Sequence, residues 1–408
     1  MNQQFDVAIV GAGSAGIAAA SSILKRDSSV SIALIDPAED HFYQPGWTMV
    51  GGGIFDAKST QRKTVDLIPS GTTWIQESVE SFLLNDDAVQ LSNGDSVSYK
   101  QLIVAPGLKL NWGGVEGLEE ALGKNGVTSN YRFDLAPYTW ELVQQTKQGK
   151  AVFTQSPMPI KCAGAPQKAL YLSASEWLSN GSLDNIDIEF YNAVPVLFGV
   201  ADYVPALMEY MEKYQATLNF KHNLTKVDGN AKKAWFTKTT DDGEETIETD
   251  FDFLHVCPPQ CSPDFIASSE LADGAGWLDV DPATLRHTRY DNVWGAGDVM
   301  NTTNAKTMAA ARKQAPVVAQ NVVNALSGAA PNVQYDGYGS CPLTVEKGKI
   351  VLAEFCYGGK VSPTFPSWLN EGTRPSSMAW FLKASILPSV YWQAMLKGRE
   401  LLAKPHTV

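Results

Sequence analysis

Apolar and polar positions divide the chain into short apolar runs that end at glycine or proline, alternating with longer stretches of helical period. The first run, Phe5-Asp-Val-Ala-Ile-Val10, is β-branched and largely apolar, as expected of a strand buried in a parallel sheet. It enters Gly11-Ala-Gly13-Ser-Ala-Gly16, an alanine-rich helical run follows to about Lys25, and a second strand over 31–35 ends on Asp36. Strands are expected through 72–104, closing with Leu102-Ile-Val-Ala105-Pro-Gly107. A second strand–helix–strand unit runs over 150–154, 167–178 and 186–191. A hairpin-bearing insertion follows at 232–256, then a short strand meeting Gly297-Asp298 and a long helix from about Ala305, which Pro316 should kink or end. Strands alternating with helices predict an α/β fold built on parallel sheets.

The glycines give this pattern chemical content. Strand, GxGxxG, helix and a later acid form a dinucleotide-binding unit: Gly11 permits the tight turn, Gly13 admits a pyrophosphate, and Gly16 allows close helix packing. The N-terminus of the helix, at Ser14 and Ala15, offers N–H groups to phosphate, and Asp36 can accept a ribose hydroxyl. Near the other end, Asn292-Val-Trp-Gly-Ala-Gly297-Asp298 supplies a carboxylate for a ribitol hydroxyl. Two such motifs bracketing the chain point to FAD rather than NAD. No cysteine precedes Cys162, so the flavin is expected to be non-covalent. The second βαβ unit lacks the glycine fingerprint. Its turn reads Pro157-Met-Pro-Ile-Lys-Cys162-Ala-Gly-Ala-Pro-Gln-Lys168, with a cysteine where a pyrophosphate would lie, and its second strand ends Tyr191-Asn192 rather than in an acid. This half reads as having given up nicotinamide. A helix N-terminus and the neighbouring Lys161 should both lower the Cys162 pKa.

The formal charge of −12 argues against a nucleic-acid partner. No run of 18 apolar residues occurs, and the sequence enters its first strand at once, so neither a spanning helix nor a leader peptide is expected. Five cysteines without a secretory signal suit a reducing compartment. Cys257 and Cys261 lack further zinc ligands nearby, so no metal is expected, and Cys356 reads as core packing. The tail differs in kind: residues 361–408 carry five basic and two acidic side chains, +3 against −15 for the remainder, among many aromatics. Such a segment is expected to lie in a membrane interface, the alternative being packing on the body or in a dimer contact.

The motifs His41-Phe-Tyr-Gln-Pro-Gly-Trp47, Met158–Lys168, Asn292–Asp298 and Gly339-Ser-Cys-Pro-Leu343 together resemble sulfide:quinone oxidoreductase, in the branch that includes the mitochondrial enzyme, within the flavoprotein disulfide reductase superfamily. The resemblance spans nearly the whole chain. It implies two Rossmann-like domains of the FAD/NAD(P)-binding fold and a C-terminal amphipathic helical, membrane-docking segment. The expected division is an FAD domain over 1–110 and 285–330, a second Rossmann-like domain over 111–284, and a C-terminal region over 331–408. It further implies Cys162 and Cys341 as the redox pair, with Cys162 on the flavin side and Cys341 carrying the sulfane sulfur. Flavin contacts are expected from Gly11, Gly13, Ser14, Ala15, Gly16, Asp36, Gln44, Ala105, Gly107, Gly297, Asp298 and Lys306. The implied partners are hydrogen sulfide, a ubiquinone-type quinone, a small sulfur acceptor (glutathione, sulfite, cyanide or coenzyme A) and a membrane surface, with a homodimer left open. The expected location is peripheral, on the cytoplasmic face of a bacterial membrane. Type II NADH:quinone oxidoreductase, flavocytochrome-type sulfide dehydrogenase and a sulfide-sensing flavin-binding membrane protein stay open as alternatives.

Overall fold

The computed structural model describes residues 2–407. Its first sheet has seven strands. Asn2–Val10 lies between Ile32–Ile35 and Ser96–Val104, parallel to both, with Thr72–Ile75 beyond Ile32–Ile35 and Val293–Gly295 joined to Ser96–Val104. Val7, Ala8, Ile9 and Leu102–Val104 are inaccessible or nearly so, which explains their unbroken apolar pattern: both faces of the central strands are covered. The first helix, Ser14–Arg26, packs on the late helix, Met308–Leu326. The late helix contains Pro316 without ending there. A small residue is forced at Gly16, where a Cβ would come within 1.9 Å of the Gly11 carbonyl oxygen.

A five-stranded parallel sheet forms the second half, ordered Val127–Thr128, Phe253–His255, Gly149–Gln155, Ile186–Asn192 and Thr217–Phe220. Helix Ala165–Ser179 is its crossover. The expected hairpin is Lys233–Thr240 with Gly243–Asp250, extended to three strands by His222–Asp228. Ile266, Leu271 and Leu278 already pack in the core of the first half. A further hairpin, Gly339–Glu346 with Lys349–Phe355, lays Cys341, Leu343 and Val345 against the crossover helix.

The tail is two-sided. Tyr391, Trp392, Met395 and Leu396 belong to the core of the first half, with Tyr391 wholly inaccessible. Part of the segment expected at a membrane interface is therefore core packing. Trp368, Leu369, Phe381, Ile386, Leu401 and Leu402 remain exposed, the first at 83%. Arg374, Lys397, Arg399 and Lys404 are exposed beside them. Among the described residues no helix is long and apolar enough to cross a membrane.

Candidate active site

The turn from strand Gly149–Gln155 into helix Ala165–Ser179 carries Cys162 at φ +50°, a left-handed conformation uncommon for any residue but glycine. Its N–H bonds the Lys306 carbonyl at 2.8 Å and its carbonyl accepts from Ala165. Two residues on, a Cβ at Gly164 would meet Leu343 Cδ2 at 2.2 Å and Cys341 Sγ at 2.8 Å. Glycine is required there because the Gly339–Glu346 hairpin presses its cysteine onto the start of the helix. The two sulfurs lie 3.3 Å apart and unbridged.

Lys168, one turn into the helix and 3% exposed, points its ammonium at both sulfurs, 3.1 Å from Cys162 and 3.8 Å from Cys341. Electrostatics then divide the pair. The Cys341 thiol donates to Cys162 and, with Lys168, holds the Cys162 pKa well below the usual thiol range against the opposing effect of burial. Cys341 is pushed well above that range by the same bond and by burial. One proton is thus shared asymmetrically, leaving Cys162 the thiolate. Burial works against the Lys168 ammonium, but the two sulfurs together more than offset it and raise its pKa. A second lysine, Lys383, comes from the tail on a wider π-helical turn, Leu382–Ile386. Its Nζ donates to the Pro45 carbonyl at 2.8 Å. Burial first, then repulsion from Lys168, lowers its pKa to about 7. One amine is a fixed cation; the other can exchange a proton near neutrality. Lys161, the cation suggested by sequence adjacency, instead donates to Gln44 Oε1 at 2.5 Å.

Several of the residues expected to hold a flavin converge on the N-terminus of the first helix, while Gln44 and Lys306 lie toward the cysteine turn. The Ala105 N–H bonds the Val10 carbonyl, Gly297 lies against Ala15, and Asp36 accepts from the Ala12 N–H at 2.6 Å and the Ala38 N–H at 2.8 Å. No side chain caps this helix, and a Cβ on Gly13 or Gly107 would meet nothing within 4 Å. An uncapped helix start facing open space is the cradle a pyrophosphate needs. The Asp298 carboxylate makes no hydrogen bond among the described residues, and burial raises its pKa although the Lys306 and Lys161 ammonium groups oppose this. A half-buried acceptor without a protein donor suits a ribitol hydroxyl. These residues fit FAD. The Lys306 ammonium is directed to the carbonyls of Asp298 and Met300, at 2.8 and 2.6 Å, and stacks over Trp277. Its side chain braces the Asp298 loop, while its backbone carbonyl ties that loop to Cys162.

A cavity of about 460 Å³ lies beside the cysteine turn, lined among others by Met158, Ile160, Ala163, Phe198, Trp277 and Lys306. Cys257 is buried, its thiol pKa raised by that burial, and Cys356 is half-buried at the cavity edge.

Comparison with known proteins agrees with this geometry. Residues 5–140 match the pyridine nucleotide-disulphide oxidoreductase family. The mitochondrial sulfide:quinone oxidoreductase of Dictyostelium discoideum is 40% identical over 396 residues, covering 96% of this chain and 86% of that protein. The chain belongs to the sulfide:quinone oxidoreductase family. Members are FAD-dependent oxidoreductases, and this chain carries a glycine fingerprint of the flavin-binding type and a cysteine-bearing turn. Its fold matches the sulfide:quinone oxidoreductase of Aquifex aeolicus with a TM-score of 0.78, 18% identity, and 97% and 92% of the two chains covered. It also matches a chain in the Tetrahymena thermophila mitochondrial ATP synthase with a TM-score of 0.85, 22% identity, and 97% and 96% covered. Both likenesses concern fold alone. The second illustrates that function has to be argued from the site.

Proposed function

We propose that the protein oxidises sulfide at a Cys162–Cys341 disulfide and passes the electrons to a quinone. The observation that carries this is the asymmetric pair: two sulfurs in contact, with one buried ammonium nearer to one of them. In the oxidised enzyme the two cysteines are bridged. A hydrosulfide lone pair forms a bond to Cys341 Sγ, the Cys162–Cys341 bond breaks, and its electron pair leaves on Cys162 as thiolate. The direction follows from leaving-group acidity, since the thiol of lower pKa leaves faster and Lys168 favours the Cys162 thiolate. A nucleophilic acceptor then takes the outer sulfur from Cys341 and leaves a second thiolate there. Two electrons are released as the Cys162 and Cys341 thiolates re-form the bridge, and FAD held at the Gly11–Gly16 turn would supply the two-electron acceptor between the cysteines and the quinone.

The residues proposed to hold FAD are Gly11, Gly13, Ser14, Ala15, Gly16 and Asp36, with Gln44, Ala105, Gly107, Gly297 and Asp298; Lys306 supports the Asp298 loop. The functional division we propose is an FAD domain over 1–110 and 285–330, a cysteine-bearing second domain over 111–284, and a C-terminal region over 331–408. A quinone with a long tail is met at a bilayer, so we place the protein peripherally on a membrane, on the cytoplasmic face in a bacterium, with the exposed aromatic and basic side of the tail against the lipid. The test is steady-state turnover with sulfide, a short-chain quinone and each of sulfite, glutathione, cyanide and coenzyme A. Sulfide-dependent quinone reduction that needs one of these acceptors is expected. Reduction driven equally by NADH would refute the reading.

A further inference from the structure

The tail reaches the phosphate-binding turn itself. Tyr391, on helix Leu387–Gln393, places its hydroxyl 2.7 Å from Ser14 Oγ and 2.5 Å from His41 Nε2. His41 Nδ1 lies 3.1 Å from the Ala12 carbonyl oxygen. The directions of these bonds follow from chemistry. A carbonyl only accepts, so Nδ1 carries the proton; in a neutral ring Nε2 then accepts from Tyr391, and Tyr391 in turn accepts from Ser14. Burial pushes the His41 pKa down to about 4, in agreement with a neutral ring. Ala12 and Ser14 flank the open Gly13, so one side chain from near the C-terminus fixes both sides of the turn. With the Ser14 proton engaged inside the protein, the N–H groups at the start of the helix are left to meet a phosphate.

Further contacts continue along the first helix. Ser21 donates to the Leu396 carbonyl at 2.7 Å, and Ser22 to Glu400 at 2.6 Å. Arg26 pairs with Glu400 at 2.5 Å. At Gly398, in a left-handed conformation, a Cβ would meet the Ser21 carbonyl oxygen at 2.7 Å.

We propose that Tyr391 is a positioning residue of the cofactor site: acting through Ser14 and His41, it holds the Gly11–Gly16 turn in the shape that retains FAD, so that flavin retention depends on the Tyr391 hydroxyl and not on tail packing in general. The inference rests on the flavin reading, whose own failure would show separately as wild-type protein isolated without flavin.

The experiment compares Tyr391→Phe, Ser14→Ala and Ser22→Ala in the full-length holoprotein. FAD release is followed by recovery of free-flavin fluorescence, and thermal melting is recorded with and without added FAD. Tyr391→Phe keeps the ring and removes the hydroxyl, so its FAD off-rate should rise about ten-fold, the cost of leaving buried partners unmatched. Ser14→Ala should raise the off-rate as well, and the double variant should fall short of the product of the two single effects, because the residues act in series. Ser22→Ala loosens the tail away from the turn; it should lower both melting temperatures alike and leave the off-rate unchanged. A Tyr391→Phe off-rate within two-fold of wild type would overturn the proposal. So would equal off-rate increases in Tyr391→Phe and Ser22→Ala, which would reduce Tyr391 to ordinary packing.

Discussion

The two halves share a strand–turn–helix plan and have put opposite things at the same place. In the first, the turn from Val10 to Ser14 faces open space at Gly13, and the strand beyond the helix ends in Asp36, whose carboxylate keeps free lone pairs. In the second, the space in front of the helix start is filled by Leu343 and Cys341 from the Gly339–Glu346 hairpin. Its second strand ends in Asn192, whose side chain folds back onto Val194 and Val196. One phosphate cradle stays open, while the other has been occupied by a sulfur. The difference teaches what would exclude nicotinamide from the second half, a steric as well as a chemical obstacle: Leu343 and Cys341 fill the space in front of the helix start where a pyrophosphate would lie.

The largest expected effect comes from breaking the sulfur pair. Cys162→Ser and Cys341→Ser should each lower sulfide-dependent quinone reduction by about 10³-fold or more, and the double variant should be no worse than the worse single one, because the pair acts as a unit. Steady-state rates check this, with flavin content showing that the first half is untouched.

A smaller steric change sharpens the contrast between the halves. Gly164→Ala drives a methyl into Leu343 and Cys341, so turnover should fall about 10²-fold, as expected when reacting groups are displaced by an ångström. Flavin content should be preserved. Gly13→Val, at the matching place in the first half, should instead lose FAD while leaving the reactivity of the thiols toward an alkylating agent unchanged.

Next come the lysines. Lys168→Met removes the cation beside Cys162, so the pH midpoint for alkylation of the reduced enzyme should move upward. Lys383 is depressed to about 7, below its unfolded value, so the unfolded chain binds more protons between about 7 and 10.5. Its burial costs stability fully below about pH 7, and that cost fades as pH rises toward 10.5. Lys383→Met should therefore raise the melting temperature more at pH 6 than at pH 9. The smallest effects are expected at Cys257, Cys261 and Cys356, where serine should leave turnover within a few-fold.

The flavin half was legible in the sequence because its signal is local: glycines, helix start and acid follow one another within a few turns of chain. The altered second turn was legible for the same reason. The partnership of Cys162 with Cys341 was not, since the residues are 179 positions apart and only the family resemblance joined them. Lys161 drew attention by adjacency, yet a left-handed Cys162 turns the chain so that Lys168 faces the sulfurs. In the tail, an apolar stripe with basic flanks does not say what it packs against. Tyr391 and Lys383 belong to the protein interior, Phe381 and Ile386 to its surface, and these share one stretch of sequence. No periodicity separates them.

The central claim is that electrons enter through sulfur at the second half and not through nicotinamide. It is tested most directly by mixing the oxidised holoprotein anaerobically with sulfide or with NADH and following the flavin absorbance. Rapid bleaching by sulfide, absent in Cys162→Ser, and no bleaching by NADH on the same timescale is the predicted result. Bleaching by NADH as fast as by sulfide would contradict it, because the filled cradle would then still admit a dinucleotide.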